Sequence, residues 1–289
     1  MLALFLFGLA HAVFFFIGDI LITYSIFGLL LFTVSRSSDR ALKRWTIAAI
    51  TVAVLLILVV ASLAAAFPDD FSESGGLESA LSTGTFAEAA IARLEALPST
   101  LLGVFLLQGP MAFAAFVLGL RASRVKLLAD PESHVDLWRK LARWGWAIGL
   151  PLQAVAAGMQ IGAVATGNSF SPGGAFGLAL GFTTAPILTA GYIGSIALLI
   201  HRRPLFLSFL TPAGQMSLTV YIGESALMSF VFSAYGLGYF GQWRAFPVVL
   251  AGIACWAVLT ACAWLWMRRF KQGPLEFVMA AMTGKGGAT

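Results

Sequence analysis

The chain has 289 residues, of which 59% are hydrophobic and only 11% are charged, with a formal net charge of +5. Soluble domains carry about 25% charged residues, so the composition excludes an ordinary soluble domain. The basic residues stand in short loops between long apolar runs, so the sequence pI of about 9.5 does not indicate a nucleic-acid partner. Because these runs lack the alternation of barrel strands, they favour an all-α, polytopic integral membrane bundle.

Eight apolar stretches predict about eight transmembrane helices in a single membrane domain, residues 1–289. One helix over the first 34 residues would be about 50 Å long, well beyond a hydrocarbon core of about 30 Å. We therefore place a turn at Gly18-Asp19. The N-terminal run lacks the basic start and the cleavage site of a signal peptide, so we interpret it as the first span. The predicted spans are residues 2–17, 18–34, 46–67, 99–120, 144–166, 176–200, 212–235 and 247–267.

The basic residues indicate an orientation. The segments 35–45, 121–143 and 201–204 and the C-terminal tail carry four, six, two and four of the 18 Lys and Arg residues. Eight spans place all four segments on one face. The positive-inside rule makes that face cytoplasmic, with both termini inside. The acidic 68–98 connection is then an external loop, and its second half has the pattern of an amphipathic surface helix.

Glu224 is the exceptional residue of the seventh span. A charged side chain inside a membrane helix costs at least about 2.5–3.5 kcal/mol on insertion scales, so it must be protonated, paired or in contact with water. It either joins helices through hydrogen bonds or lines a cavity as an acid. Polar residues of the same stretch, together with one from the fourth span, are the candidate substrate-binding residues: Gln215, Thr219, Tyr221, Ser225 and Gln108.

His11 and Asp19 complete the candidate catalytic set with Glu224. Asp19 either caps the second helix by accepting from free backbone N–H groups or serves as a functional carboxylate near the membrane surface. His11 either packs between helices or acts as a general base or proton relay, because histidine titrates near neutral pH. The sequence shows no metal-ligand cluster, phosphate-binding loop or dinucleotide fingerprint, so no metal or cofactor is evident.

Four segments, in order along the chain, resemble one family. FGLAHAVFFFIGDILITYSIFGLLL is similar to the GLLHALL…GDIL-Y-LLG segment of the YeiB-like membrane proteins, which carry the domain of unknown function 418. RWGWAIGLPLQ, GQMSLTVYIGES and RRFKQGPLEFVMAAMTG resemble further family segments, the last two within a C-terminal signature region, residues 205–285. The residues at matching motif positions are His11, Gly18, Asp19, Gly214, Tyr221, Glu224, Ser225, Gly273, Pro274 and Glu276.

The resemblance implies a multi-pass protein of the bacterial inner membrane. The family is loosely tied to transport and is distantly similar to membrane acyltransferases that modify sugars. Three departures bear on activity. Gln215 stands where the family has Arg, Ala280 stands near the usual Arg of the closing block, and a leading segment like LDVLRGFALLGILL-N has no counterpart. The two lost arginines weaken an anion-binding site, and a missing leading segment would remove part of any active site.

Three functions remain open, and the sequence does not decide whether the protein is an enzyme. In an acyltransferase-like enzyme, His11 with Asp19 or Glu224 would activate a hydroxyl or amine of an envelope glycan or lipid, and an acyl donor would be required. In a transporter or permease component, Glu224 would bind a proton or substrate at the midplane between two repeated halves, although no internal repeat is clear. A non-catalytic scaffold is the third function. The lipid bilayer is the expected partner in each case, and the oligomeric state is unknown.

Overall fold

A computed structural model describes residues 1–68, 75–203 and 205–284, and these residues form helices and turns without a strand. The predicted all-α class is therefore confirmed for the described part of the chain. Its α-helices, in order, are α1 Leu2–Phe14, α2 Leu21–Val34, α3 Asp39–Ala66, α4 Gly75–Thr83, α5 Phe86–Leu107, α6 Gly109–Arg124, α7 Val135–Trp144, α8 Leu150–Ala165, α9 Pro172–Arg202, α10 Thr211–Gln215, α11 Ser217–Phe232, α12 Ala245–Trp266 and α13 Pro274–Met282. A π-helical turn, Gly145–Gly149, joins α7 to α8.

Within the described residues, five helical stretches are long and apolar enough to cross a membrane. The helices α1, α2 and α11 are apolar but shorter, with 10–17 residues each. The architecture is thus that of a helical membrane protein, while the number of spans and the side of each terminus stay predictions. The five stretches are Asp39–Ala66, Phe86–Leu107, Glu132–Ala165, Pro172–Arg202 and Ala245–Trp266.

The chain forms two compact units. The first comprises Met1–Ile26, Ser74–Val104 and Leu207–Thr289, and the second comprises Phe27–Glu73 and Phe105–Phe206. In the first unit, α11 packs against α12 and α13, and α1 contacts α13. Its buried core brings α1, α2 and α5 together through apolar side chains: Ala12, Ile22 and Leu97, surrounded by Phe5, Leu9, Val13, Ile17 and Leu101.

In the second unit, α3 packs against α6 and α9, and α9 packs against α7 and α8. Two amides of α8 fasten it to α9. Gln153 Nε2 donates to the carbonyl of Gly181 at 2.8 Å, and Gln160 Nε2 donates to the carbonyl of Gly174 at 2.5 Å. An open groove of about 380 Å³ lies beside these amides and is lined mostly by small residues of α8 and α9.

The stretch 99–120, predicted as one span, is divided between two helices. α5 ends at Leu107, and α6 begins at Gly109. Pro110 occupies the first turn of α6. That position tolerates proline because its N–H would have no helical partner. The proline therefore starts a helix here and does not bend a continuous one.

The 68–98 connection also differs from the prediction. Its acidic start falls on residues 69–74, which lie outside the described residues. Its second half, predicted as an amphipathic surface helix, forms the start of α5, with Arg93 only 2% exposed and Leu97 only 6% exposed. The reason is that Arg93 finds oxygen acceptors inside the first unit and can leave the surface.

Candidate functional site: a buried histidine–aspartate pair

Asp19 is positioned by the turn between α1 and α2. The chain leaves helical conformation after Phe14 and resumes it at Leu21. Within this turn, Asp19 Oδ1 accepts from the backbone N–H of Ile22 at 2.8 Å. Because the first N–H groups of a helix lack internal partners, this bond caps α2. The predicted capping role of Asp19 is confirmed.

The same carboxylate also pairs with His11. Asp19 Oδ2 lies 2.7 Å from His11 Nδ1, and the two residues are 0% and 1% exposed. The Tyr221 hydroxyl, 3.4 Å from Oδ2, is a third donor to this carboxylate. Asp19 thus accepts on both carboxylate oxygens, and we assign His11 Nδ1 as the donor that faces Oδ2.

The other nitrogen of His11 is left as an acceptor. With the proton on Nδ1, a neutral imidazole presents a lone pair at Nε2. This Nε2 is buried and has no hydrogen-bond partner among the described residues. Aromatic rings surround the imidazole, with centroids at 4.8 Å for Tyr221, 6.5 Å for Phe15 and 6.4 Å for Phe16. A basic nitrogen oriented by a carboxylate and shielded from water is thus available at the end of α1.

Arg93, which the sequence pattern placed on a surface helix, holds the neighbouring elements together. Its Nη1 donates to the carbonyl of Phe14 at 3.2 Å, and its Nη2 donates to Ser229 Oγ and to the Tyr235 hydroxyl, each at 3.2 Å. Ser229 and Tyr235 are also hydrogen-bonded to each other. Within the described residues, no carboxylate pairs with this guanidinium. Arg93 therefore fixes the end of α1 against α11 and the segment that follows it.

Thr219 and Glu276 form a second capping arrangement at the start of α11. Glu276 Oε1 accepts from the backbone N–H groups of Leu218 and Thr219 at 2.8 and 3.0 Å, while Oε2 accepts from Thr219 Oγ1 at 2.5 Å. Thr219 Oγ1 in turn accepts from the N–H of Leu275 at 3.1 Å. Thr219, a candidate substrate-binding residue, is thus engaged in joining α11 to α13.

The remaining candidates lie outside the His11–Asp19 group. Glu224 is half-buried on α11, interacts electrostatically with Cys255 of α12, and has no hydrogen bond or ion pair within the described part of the chain. Gln215 is exposed, and Ser225 is half-buried. Gln108 lies in the second unit, between α5 and α6. Among the described residues, no cluster of three His, Cys, Asp or Glu side chains could hold a metal ion.

Comparison with known proteins identifies the family. The model of a family described as "Protein of unknown function (DUF418)" matches residues 122–285, more than half of the chain. The chain belongs to the DUF418 family. This assignment confirms the resemblance found in the sequence. His11 and Asp19 precede the matched residues of this DUF418 protein, whereas Tyr221, Glu224 and Glu276 lie within them.

Two curated relatives were found. The uncharacterized protein YxaH of Bacillus subtilis (strain 168) is 26% identical over 309 aligned residues, which cover 98% of this chain and 70% of YxaH. An uncharacterized 39.9 kDa protein in the amylase 3' region of Bacillus acidopullulyticus is 32% identical over 109 residues, covering 37% of this chain and 31% of that protein. No solved structure matches the chain.

Proposed function

We propose that this DUF418 protein is an acyltransferase-like membrane enzyme in which His11 is the general base and Asp19 orients it. The observation that supports the proposal most directly is the 2.7 Å contact between His11 Nδ1 and Asp19 Oδ2, with Nε2 left unpaired. A carboxylate that fixes the tautomer of a histidine, and stabilises it once protonated, is a recurring arrangement in acyl transfer. General-base catalysis of this kind contributes about 10²–10⁴-fold to a rate.

The proposed reaction forms an ester or amide at the expense of an activated acyl donor. His11 Nε2 takes the proton of a hydroxyl or amine as that group attacks the acyl carbonyl. The bond from the carbonyl carbon to the donor's leaving group breaks, and the leaving group recovers the proton from Nε2. Asp19 accepts a hydrogen bond from Nδ1 throughout and balances the transient positive charge on the ring.

The surroundings of the pair favour a lipid or a lipid-linked envelope glycan as acceptor. α1 and α11 are apolar helices, and the imidazole is flanked by aromatic rings. Since His11 is 1% exposed, an acceptor must displace one of these rings to reach Nε2. A substrate with an apolar body can occupy the vacated space at a lower desolvation cost than a free sugar.

We also propose eight spans in a bacterial cell membrane, with both termini cytoplasmic. The second unit supports the orientation, because its Lys and Arg residues lie at the start of α3, the end of α6, in and before α7, and at the end of α9. A strongly one-sided distribution of Lys and Arg is the signal of the cytoplasmic face.

A transporter is the second candidate, favoured by Glu224. This acid lies mid-helix in α11, without a hydrogen-bond partner in the described residues. An intramembrane carboxyl group of this kind suits reversible proton binding along a pathway. If Glu224 binds the transported proton, Glu224→Gln abolishes function, whereas the enzyme proposal requires His11 and Asp19.

The enzyme proposal can be tested by mass spectrometry of envelope lipids and glycans. A bacterial strain lacking its own DUF418 proteins would express the wild type, His11→Gln, Asp19→Asn or Glu224→Gln. Wild-type expression should add an acylated species, and His11→Gln and Asp19→Asn should each reduce it at least about 10²-fold. His134→Gln is the matched control, since His134 lies in a polar segment where its Nδ1 is hydrogen-bonded to the Asp130 carbonyl, and it should act as wild type.

Two outcomes would overturn the proposal. One is an acylated species that forms at the wild-type level in His11→Gln membranes that contain normal amounts of folded protein. The other is an envelope composition that no variant changes, including the wild type, which would favour a scaffold. If only Glu224→Gln loses the effect that wild-type expression has on the envelope, the result would favour the transporter.

A further inference from the structure

The start of α3, the end of α9 and α7 lie at the same end of the second unit. Side chains from the second half of α3, Ile57 and Ala61, pack with Ala175 and Ala179 from the first half of α9. The two helices are therefore antiparallel, and the start of α3 lies at the same end as the end of α9. α7 belongs to this end as well, because a Cβ built on Gly194 of α9 would lie 2.6 Å from α7 backbone atoms.

An ion pair places the end of α6 at the same end. Arg124 Nη1 donates to Asp39 Oδ1 at 2.9 Å, and Nη2 donates to the carbonyl of Ser35 at 2.7 Å. Four acidic residues accompany the basic ones here, so the charge is strongly positive. We call this surface the basic end, and it holds all twelve Lys and Arg residues of the second unit: Arg36, Arg40, Lys43, Arg44, Arg121, Arg124, Lys126, Arg139, Lys140, Arg143, Arg202 and Arg203.

Two arginines in the last turn of α6 differ in their partners. Arg124 is neutralised by Asp39. Arg121 pairs with no carboxylate within the described residues, and its Nε is buried without a hydrogen-bond partner. A buried donor left unpaired is costly, and a guanidinium offers a planar fork of donors that fits phosphate. Arg121 is thus arranged for an anion that the chain itself does not supply.

Exposed apolar side chains occur at the same end of the second unit. Val125 is 54% exposed, Leu128 is 76% exposed, and Trp45 of α3 is 44% exposed. Exposed aliphatic and Trp side chains beside basic residues are typical of a membrane–water interface. A soluble phosphate makes no favourable contact with apolar side chains, whereas the acyl chains of a phospholipid can pack against them.

We propose that the basic end binds an anionic phospholipid, with its headgroup phosphate held by Arg121. The exposed cations of α3 provide the long-range attraction, and the exposed apolar side chains at this end contact the acyl chains. The inference goes beyond the catalytic proposal and does not depend on it, because His11 and Asp19 lie in the first unit.

Thermal unfolding of the purified protein in detergent tests this site. Short-chain phosphatidylglycerol should raise the unfolding midpoint of the wild type, whereas phosphatidylcholine of the same chain length and inorganic phosphate should not. Arg121→Gln should weaken the apparent affinity for phosphatidylglycerol about tenfold, since a charge-assisted hydrogen bond is lost. Arg121→Lys should lose less, because it keeps the charge but not the fork.

The control is Arg40→Gln, which removes one exposed charge from the same end. The affinity of this variant for phosphatidylglycerol should fall less than about fivefold. Equal losses of affinity for phosphatidylglycerol in Arg121→Gln and Arg40→Gln would show a diffuse charge effect and overturn the site. Equal shifts of the unfolding midpoint with phosphatidylglycerol and phosphatidylcholine would overturn it as well. If inorganic phosphate raised the unfolding midpoint as much as phosphatidylglycerol does, the bound phosphate would not need to belong to a lipid, and the proposal of a phospholipid site would be wrong. Circular dichroism of each variant confirms folding, and His11→Gln should bind phosphatidylglycerol as the wild type does, whatever its activity.

Discussion

Glycine at position 8 allows α1 to approach the Asp19 carboxylate. A Cβ built on Gly8 would lie 2.6 Å from Asp19 Oδ1 and 2.8 Å from the backbone nitrogen of Ile22. These are the two atoms that form the cap of α2. A side chain at this position must therefore push the carboxylate away from the α2 terminus, from His11, or from both.

We expect Gly8→Ala to lower the free energy of unfolding by about 1–3 kcal/mol, the usual cost of overpacking. It should also reduce the proposed acyl transfer as strongly as Asp19→Asn, because the carboxylate no longer orients the imidazole. Denaturation in detergent measures the first effect, and the envelope assay measures the second. Gly103→Ala is the control, since nothing lies within 4 Å of a Cβ at that position of α5. A Gly8→Ala protein as stable and active as Gly103→Ala would contradict this account.

Individual residues of the site were predictable to different degrees. His11 and Asp19 were identified because each is polar in an apolar stretch, and a turn between two helices brings them together. Glu224 was equally conspicuous, yet it does not join them. Arg93 was expected on a surface helix of the external 68–98 connection, because its charged neighbours in sequence are acidic. The available signal was that Arg93 is the lone basic residue of that acidic stretch, but its acceptors come from distant segments that only the fold reveals.

At the level of elements, the C-terminal Gly-Pro-Leu-Glu motif has a structural role. Glu276 closes the start of α11 through two backbone N–H groups and the Thr219 hydroxyl. Gly273 leaves room for this carboxylate, because a Cβ there would lie 2.1 Å from Glu276 Oε2 and 2.9 Å from Thr219 Oγ1. A negative charge at a helix N-terminus is also favoured by the helix dipole. The motif thus fastens α13 to the helix that carries Tyr221 and Glu224.

Glu276→Gln should lower the free energy of unfolding by about 1 kcal/mol, and Glu276→Ala by about 2 kcal/mol, because the first keeps one acceptor and the second keeps none. Glu95→Gln provides a control, since Glu95 is exposed on α5. Unfolding midpoints in detergent supply the comparison. If Glu276→Ala unfolds at the same midpoint as Glu95→Gln, the cap does not stabilise the helix.

The elements themselves followed from the apolar runs, but several boundaries did not. The second half of the 68–98 connection was predicted as a surface helix that ends before a span at 99, whereas α5 starts at Phe86 and continues through Pro98. The helix tolerates this polar start because Arg93 is satisfied by three acceptors and the acidic side chains remain outside. Such compensation depends on tertiary packing, and a periodicity argument along the sequence does not contain it.

At the scale of the whole molecule, the distribution of charge predicts the orientation in the membrane. The helical stretch Glu132–Ala165 has 34 residues, which corresponds to about 50 Å and exceeds the hydrocarbon core. It begins at the basic end and finishes at the turn before α9. The two ends of this stretch should therefore face opposite compartments, with the basic end in the cytoplasm.

Single cysteines at Ser123 and Ser169, in a Cys255→Ala, Cys262→Ala background, report on these two ends, and both serines are exposed. A membrane-impermeant thiol reagent applied to intact cells should label Ser169→Cys only, and lysis should expose Ser123→Cys. The reverse pattern would invert the orientation. Labelling of both positions in intact cells would mean that Glu132–Ala165 does not cross the membrane. A lipid at Arg121 would then meet the outer leaflet or none, so this measurement also decides which leaflet supplies the proposed phospholipid.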